Sequence, residues 1–365
     1  MKRIIISLLL LPSLVFAQNY DGFVIKNLVP HTSVKDQQRT GSCWVFSTVS
    51  FIEAEALRIT GKKFDLSEMY VLYYSYIKKA IEYLRWQGKT QFSTGGLGHD
   101  VLNIVREYGI VPEKDYPFTI SSDEELIKQL KEYLDSILTM DTVPDNWLIG
   151  YKKILNKYMP VPPQKIIYNG KKISPKYFLF NILHFDPNQY FEFTSFRQSN
   201  YYYPFVLEIP DNWAKAAYWN IPLSNLYNIA LNSLKQGYSF IWDGDVTEPG
   251  FNQSEAVAYL TDYQKQQAKK FSFVKYRQIL YERHKTQDDH LMHIVGLAQK
   301  DKKFYFYVKN SWGAIGPLKG YLYMSSDYFM LKTISILVNK AVIPKEIRER
   351  LYKFDCQPVD NDEKD

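Results

Sequence analysis

Behind two basic residues, the chain begins with one apolar run, Ile4 to Leu11; further along, apolar positions recur at helical or strand spacing. Val45, Val49, Ile52 and Ala56 fall at i, i+4, i+7 and i+11, with polar Ser47, Glu53, Glu55 and Arg58 elsewhere, which predicts an amphipathic helix. Gly41-Ser42 supplies its turn and cap. Leu126, Leu130, Tyr133-Leu134 and Ile137 predict a second helix, behind a capping box at Ser122-x-x-Glu125. Leu223, Leu226, Ile229-Ala230 and Leu234 predict a third, stopped by Gly237 and followed by a strand from Tyr238 to Trp242. Ile166 to Ile173 reads as a hairpin with a type I′ turn at Asn169-Gly170. Ile294 to Ala298 is a continuous apolar strand signal, and after the turn Lys300 to Lys303 comes a second strand, Phe304 to Lys309.

The opening run changes the picture first. Lys2 and Arg3, the apolar stretch and Val15-Phe16-Ala17 form the pattern of a secretory signal peptide over residues 1–17, cleaved before Gln18. As a membrane anchor the run is too short, and Pro12 interrupts it. Export to a periplasm or outside the cell is therefore expected. Loss of Lys2 and Arg3 lowers the net charge from +6 to +4, and no dense basic block points to a nucleic acid. The 365 residues are 46% hydrophobic and 23% charged, which excludes disorder throughout and a multi-pass membrane protein. Aromatic residues, at 16%, suit peptide or sugar handling without deciding between them. The two cysteines, Cys43 and Cys356, are too few for a fold that relies on disulfides.

Cys43 falls in the first turn of the first predicted helix, where the helix dipole and free N–H groups favour a thiolate. A nucleophilic cysteine needs a histidine to exchange its proton, a third group to orient that histidine, and donors for the oxyanion. His293 enters the strand Ile294 to Ala298, and Asn310-Ser311-Trp312-Gly313 leaves the strand Phe304 to Lys309. Pairing of these strands would bring His293 beside Asn310, with Trp312 shielding the bond from water. His290, three residues earlier in the expected loop, is the competitor, and His293 is preferred for its place on the strand. His31, His99, His184 and His284 lack such a frame.

Gln37 six residues before Cys43-Trp44, the His293 strand and Asn310-Ser311-Trp312-Gly313, in this order, resemble the papain-like cysteine peptidases. Leu66-Ser67-Glu68-Met69-Tyr70 is similar to the start of that family's second helix, and Gly95-Gly96 to its substrate-binding glycines. The resemblance implies an α+β, papain-like two-lobed fold, with a helical left lobe and a β-barrel-like right lobe. It implies that Gln37 and the Cys43 N–H stabilise the oxyanion, that Gly95 and Gly96 bind the substrate backbone, and that pocket walls come from Leu97 onward and from around Met292, near Trp312. No metal or organic cofactor is implied, and no metal-ligand spacing of Cys or His occurs in the sequence.

Two departures refine this. Thr40 stands where typical members carry a cysteine, and Cys43 lies 250 residues before His293, against roughly 130 to 150 in compact members. The excess is assigned to a mixed insertion over 121–235 within one peptidase unit, 18–345, between a mainly helical part (18–120) and a mainly β part (236–345). With Asp-Asp-His-Leu-Met-His at 288–293 and Pro344-Lys345-Glu346, it resembles the bleomycin hydrolase or aminopeptidase C branch. That implies peptide substrates, aminopeptidase activity and a homo-oligomer, with neither nucleic acid nor a stable membrane anchor as partner. The tail 346–365 contains acidic residues able to meet a peptide's ammonium group, and equally suits a solvated end. The alternatives are an endopeptidase and a non-catalytic peptide-binding or adhesion module on the same fold.

Overall fold

The computed structural model describes residues 20–355; the stretch 1–17 expected to be a signal peptide, Cys356 and the last residues of the tail lie outside them. Among the described residues eleven strands form one mostly antiparallel sheet, and helices pack against it in two groups, so the chain is α+β. Strand Phe240–Gly244 lies between Thr333–Asn339 and His290–Lys300, and the latter pairs onward with Lys303–Lys309 and then Tyr321–Ser325. The N-terminal strand Val24–Leu28 joins the far half of His290–Lys300, with Val24 opposite Gln299. Among the described residues the sheet is open: its path runs from Pro204–Val206 to Phe251–Asn252 without closing into a barrel.

Two hydrophobic cores lie in the molecule. One gathers Trp44, Val49, Tyr70, Tyr76, Leu102 and Tyr151 around the helices, and the other Phe240, Trp242, Phe306, Tyr323 and Phe329 around the sheet. The helix Cys43–Thr60 serves both halves. Val45, Val49, Ile52 and Ala56 are fully buried, as the periodicity predicts. The face expected to meet water is buried as well: Ser47, Glu53 and Glu55 are all closed off, each glutamate about 1% exposed. Buried charge persists only where it is paired. Glu53 accepts hydrogen bonds from Thr32 Oγ1, from Lys35 Nζ at 3.4 Å and from the Leu66 N–H at 2.8 Å. Glu55 holds Arg58, Tyr190 Oη at 2.9 Å and Asn339 Nδ2 at 2.9 Å. A seemingly amphipathic helix is thus central, with its acids serving as anchors for four other segments.

The segment 121–235 builds into both cores. Helix Glu124–Leu138 buries Leu126, Leu130, Leu134 and Ile137 on the helical side, as their spacing predicts. Its capping box does not form; the N-cap is Asp123, whose carboxylate instead accepts from the Gly41 N–H at 3.2 Å and Tyr76 Oη at 3.3 Å. The hairpin Ile166–Tyr168 with Lys171–Ile173 turns through Asn169 and Gly170 at φ +47° and +74°, the pair of left-handed residues that a type I′ turn needs. Strands Tyr190–Thr194, Ala217–Asn220 and Pro204–Val206 extend the main sheet beyond Thr333–Asn339. Helix Leu223–Lys235 packs Leu226, Ile229 and Leu234 into the sheet-side core. Among the described residues, no helix is long and apolar enough to cross a membrane.

Replacing Glu53 with Ala leaves the Leu66 N–H and Thr32 Oγ1 without their acceptor, while Lys35 keeps Asp65, Glu68 and the Leu66 carbonyl. The expected loss is about 2 kcal/mol, the cost of a buried donor left unsatisfied, read by denaturant titration against an exposed control such as Glu132→Ala.

Candidate active site

The helix Cys43–Thr60 begins at the nucleophile candidate itself, with Ser42 as N-cap and no side-chain capping bond. The Cys43 N–H therefore belongs to the first turn, where backbone donors have no partner within the helix. Cys43 is buried, 9% exposed, and its sulfur accepts from the Leu291 N–H. Burial pushes the thiol up to about 12; the Leu291 N–H works to lower it, while Asp211 and Asp288 raise it. The thiolate expected from helix position is thus opposed by burial and by two acidic neighbours.

The strand that follows starts earlier than its apolar run, at His290 rather than near His293. That shift decides which imidazole meets Asn310. His290 Nε2 lies 2.7 Å from Asn310 Oδ1, and its ring sits 4.6 Å, centroid to centroid, from the Trp312 ring. His293 is three positions along, an odd spacing, so its side chain leaves the other face of the strand. It is fully buried against Phe51, with Nδ1 2.8 Å from Ser50 Oγ. Lys309 Nζ donates to the same Ser50 Oγ at 2.7 Å. The expected His293–Asn310 pair is therefore not formed: Lys309, not Asn310, stands opposite His293 in the strand register.

Asn310 is oriented by its own neighbours. Oδ1 accepts from the Ser311 N–H at 2.7 Å, and Nδ2 donates to Gln253 Oε1 at 2.8 Å. An amide fixed that way presents an acceptor to His290, so Nε2 carries the proton and Nδ1 keeps its lone pair. Burial holds His290 down to about 4, only partly offset by the Asn310 hydrogen bond. The resting imidazole is neutral across the physiological range. Burial likewise holds His293 well below the usual histidine range, with Lys309 and His31 acting in the same direction.

Gln37 joins this group through the backbone. Its N–H donates to the Ser311 carbonyl at 2.8 Å, and the Gly313 N–H donates to the Lys35 carbonyl at 3.2 Å. Gln37 Oε1 accepts from Ser311 Oγ at 2.6 Å, and Nε2 donates to the Thr40 carbonyl at 2.7 Å. Thr40, in place of a disulfide cysteine, returns a bond from Oγ1 to the Gln37 carbonyl at 2.6 Å. The loop is held by hydrogen bonds where typical members use sulfur.

The glycine pair is tightly covered. A Cβ at Gly96 would stand 2.8 Å from the Trp44 ring, and one at Gly95 would stand 1.9 Å from Asp211 Oδ2. Lys79, buried, donates to the Ser93 carbonyl at 2.8 Å and to the Gly95 carbonyl, and Trp44 Nε1 donates to the Thr94 carbonyl at 3.0 Å. Two expected pocket walls are core residues: Leu97 is fully buried among the helices and Met292 in the sheet-side core, opposite Trp242. Leu97 caps the helix Gly98–Tyr108, and the strand carrying Met292 is buried on both faces from His290 to Ala298, so neither side chain lines an open wall. Sequence reasoning also passed over Gln253, Lys79 and Asp211, none of which carries a local motif. Among the described residues, no group of three or more His, Cys, Asp and Glu side chains has the geometry to hold a metal ion.

A buried cysteine at a helix start, facing a histidine strand with asparagine and tryptophan at its end, is the arrangement of a papain-type two-lobed fold. The model of the peptidase C1-like family matches residues 162–362, and that of the papain family cysteine proteases matches residues 24–172. The chain belongs to the peptidase C1-like family, on its aminopeptidase C and bleomycin hydrolase branch. Aminopeptidase C of Lactobacillus delbrueckii subsp. lactis is 22% identical over 379 residues, covering 90% of this chain and 84% of the relative. Bleomycin hydrolase of Gallus gallus is 22% identical, covering 86% of this chain and 81% of its own length. The crystal structure of PepW from Lactobacillus rhamnosis HN001 superposes with a TM-score of 0.76 at 18% identity, over 92% of this chain and 86% of that one.

The two histidines separate cleanly by experiment. With a Cys43-dependent peptide substrate, His290→Ala is expected to lower kcat by about 10²- to 10⁴-fold, the usual worth of a positioned proton-transfer group. His293→Ala should act mainly on the melting temperature. The reverse pattern would return the role to His293.

Proposed function

We propose that the protein hydrolyses peptide bonds through Cys43, His290 and Asn310, as an exported aminopeptidase. The observation that carries this is the His290–Asn310 bond next to a cysteine whose sulfur contacts the adjoining strand residue, Leu291. As the thiol attacks the scissile carbonyl, its proton passes to His290 Nδ1, the nitrogen that Asn310 leaves unprotonated. The S–C bond forms, and the carbonyl electrons move to an oxyanion facing the Cys43 N–H and the second N–H of Gln37 Nε2. Collapse breaks the C–N bond, and the Nδ1 proton goes to the departing amine. Water then gives a proton to Nδ1, attacks the thioester and releases the acid, and the sulfur regains its proton. Trp312 keeps solvent from the His290–Asn310 bond throughout.

Burial favours a neutral thiol and a neutral imidazole at rest, so the ion pair is formed on attack and not stored beforehand. The family assignment and the likeness to proteins named aminopeptidase C and bleomycin hydrolase support peptide N-termini as substrates. The charged and apolar start of the chain supports export, testable by N-terminal sequencing of the mature protein, which should begin at Gln18. Residues 121–235 are read as an insertion into one peptidase unit, because its helices and strands complete both cores.

The deciding comparison uses fluorogenic aminoacyl amides with wild type and Cys43→Ala. Turnover that is abolished in Cys43→Ala supports the reading; turnover that survives rejects it. Gln37→Ala should lose about 10²- to 10³-fold in kcat, one oxyanion donor's usual share. The pH profile of kcat/KM offers a further check. A base held down to about 4 becomes competent as pH rises through that value, so the acid limb should lie well below the 6.5 of an unperturbed imidazole. A thiol pushed up to about 12 adds no alkaline limb in the ordinary assay range.

A further inference from the structure

The loop 93–97 runs over the ring of Trp44, the neighbour of Cys43, and contains no cysteine to tie it down. Its order comes from one buried cation. Lys79, on the helix Glu68–Arg85, is 2% exposed and donates to two carbonyls of the loop, that of Ser93 at 2.8 Å and that of Gly95. The carbonyl between them, on Thr94, accepts from Trp44 Nε1 at 3.0 Å. The Lys79 ammonium lies 5.2 Å from the centre of the Trp44 ring and 5.9 Å from that of Trp213, within reach of both π faces. Past the glycines, the Leu97 N–H donates to Asp100 Oδ2 at 2.9 Å, in the first turn of the helix Gly98–Tyr108.

Those bonds fix the one residue that has none. A trans peptide is planar, with its carbonyl and the next N–H pointing opposite ways. Lys79 on the Gly95 carbonyl therefore turns the Gly96 N–H away from the helix Glu68–Arg85, and Asp100 on the Leu97 N–H turns the Gly96 carbonyl away from Asp100. Gly96 is buried, yet among the described residues neither its N–H nor its carbonyl meets a partner in the chain. A closed-off peptide group costs free energy until something completes it. The ammonium is also an unfavourable filling for a core position. Burial brings Lys79 down to about 8, with Asp211, Asp100 and Asp123 acting the other way, and its hydrogen bonds go to the loop carbonyls and not to those acids. An apolar side chain of similar volume commonly serves stability as well as a buried charge. It cannot hold two carbonyls, two residues apart, on one side of the loop.

We infer that Lys79 is a positioning residue for peptide hydrolysis: by gripping the Ser93 and Gly95 carbonyls it keeps the Gly96 peptide group aimed at the backbone of the bound substrate. This rests on the peptidase reading above and holds for a free or a blocked peptide alike. Lys79 touches neither the substrate nor the reacting atoms, so its loss acts on binding while Cys43, His290, Asn310 and Gln37 stay as they are.

The test measures kcat and KM separately for a fluorogenic peptidyl amide, free or N-acetylated according to which the wild type cleaves. Wild type is compared with Lys79→Met, Lys79→Arg and Trp44→Phe, with circular dichroism reporting the fold of each. The rate of Cys43 alkylation by iodoacetamide reports on the sulfur independently of Gly96. Lys79→Met is expected to raise KM at least tenfold, with kcat and the alkylation rate within about threefold of wild type, the signature of lost ground-state binding. Lys79→Arg keeps charged, paired donors and should recover most of that loss; a folded Lys79→Arg no better than Lys79→Met overturns the role given to the donors. Trp44→Phe frees the Thr94 carbonyl alone and should raise KM by a smaller factor. Should Lys79→Met fail to fold, that rise in Trp44→Phe carries the reading, and its absence overturns it. An unchanged KM in folded Lys79→Met overturns the inference while leaving the peptidase intact. Losses falling on kcat and alkylation together overturn it in favour of a purely structural lysine. A wild type without Cys43-dependent turnover removes the peptidase reading and this inference with it.

Discussion

Everything in the site is measured from one buried helix. Cys43–Thr60 is enclosed on nearly every face, and its two buried glutamates tie it to Thr32, Lys35 and Leu66 on one side and to Tyr190 and Asn339 on the other. Those partners come from the N-terminal segment, the stretch just before the helix Glu68–Arg85, the 121–235 segment and the last sheet strand. A charge buried this deeply tolerates little displacement of its partners, because each lost bond leaves an uncompensated group. Fixing the helix thus fixes where its first residue points. The sulfur can then be placed against a strand from the other half of the chain without any covalent crosslink.

The strand's own start sets the rest. Side chains on a strand alternate, so once the strand starts at His290 both histidines belong to it and, three residues apart, lie on opposite faces. This is why the sequence was readable up to this point and misleading at it. The cysteine, the glutamine loop, the asparagine–tryptophan turn and the pairing of strands 290–300 and 303–309 follow from local pattern. So do the Asn169-Gly170 hairpin and the buried stripes of the helices at 126–137 and 223–234. The choice between His290 and His293 rested on where apolar residues begin, and polar Asp-Asp-His concealed that the strand starts three residues before His293, at His290. A buried polar strand end has no hydrophobic signature. The same holds for Glu53 and Glu55, which read as a wet helix face until their partners, distant in sequence, are in place.

The long-range electrostatics were legible least of all. Asp211 and Asp288 are 77 positions apart in the chain and share no motif, yet both act on one thiol. Their effect opposes the helix position of Cys43: a helix N-terminus favours a thiolate, whereas burial among carboxyl groups favours the thiol. Here burial is the larger influence.

That balance bears on how such a site can work. A nucleophile held neutral and closed off at rest becomes charged only as it meets substrate, so the donors that stabilise the developing charge have to be in place beforehand. The hydrogen bonds that fix Gln37 and Asn310 supply that order without a crosslink. The 121–235 segment contributes by position: it carries Asp211 onto Gly95, and it adds strands to the sheet whose next members hold Ser335 and Asp243.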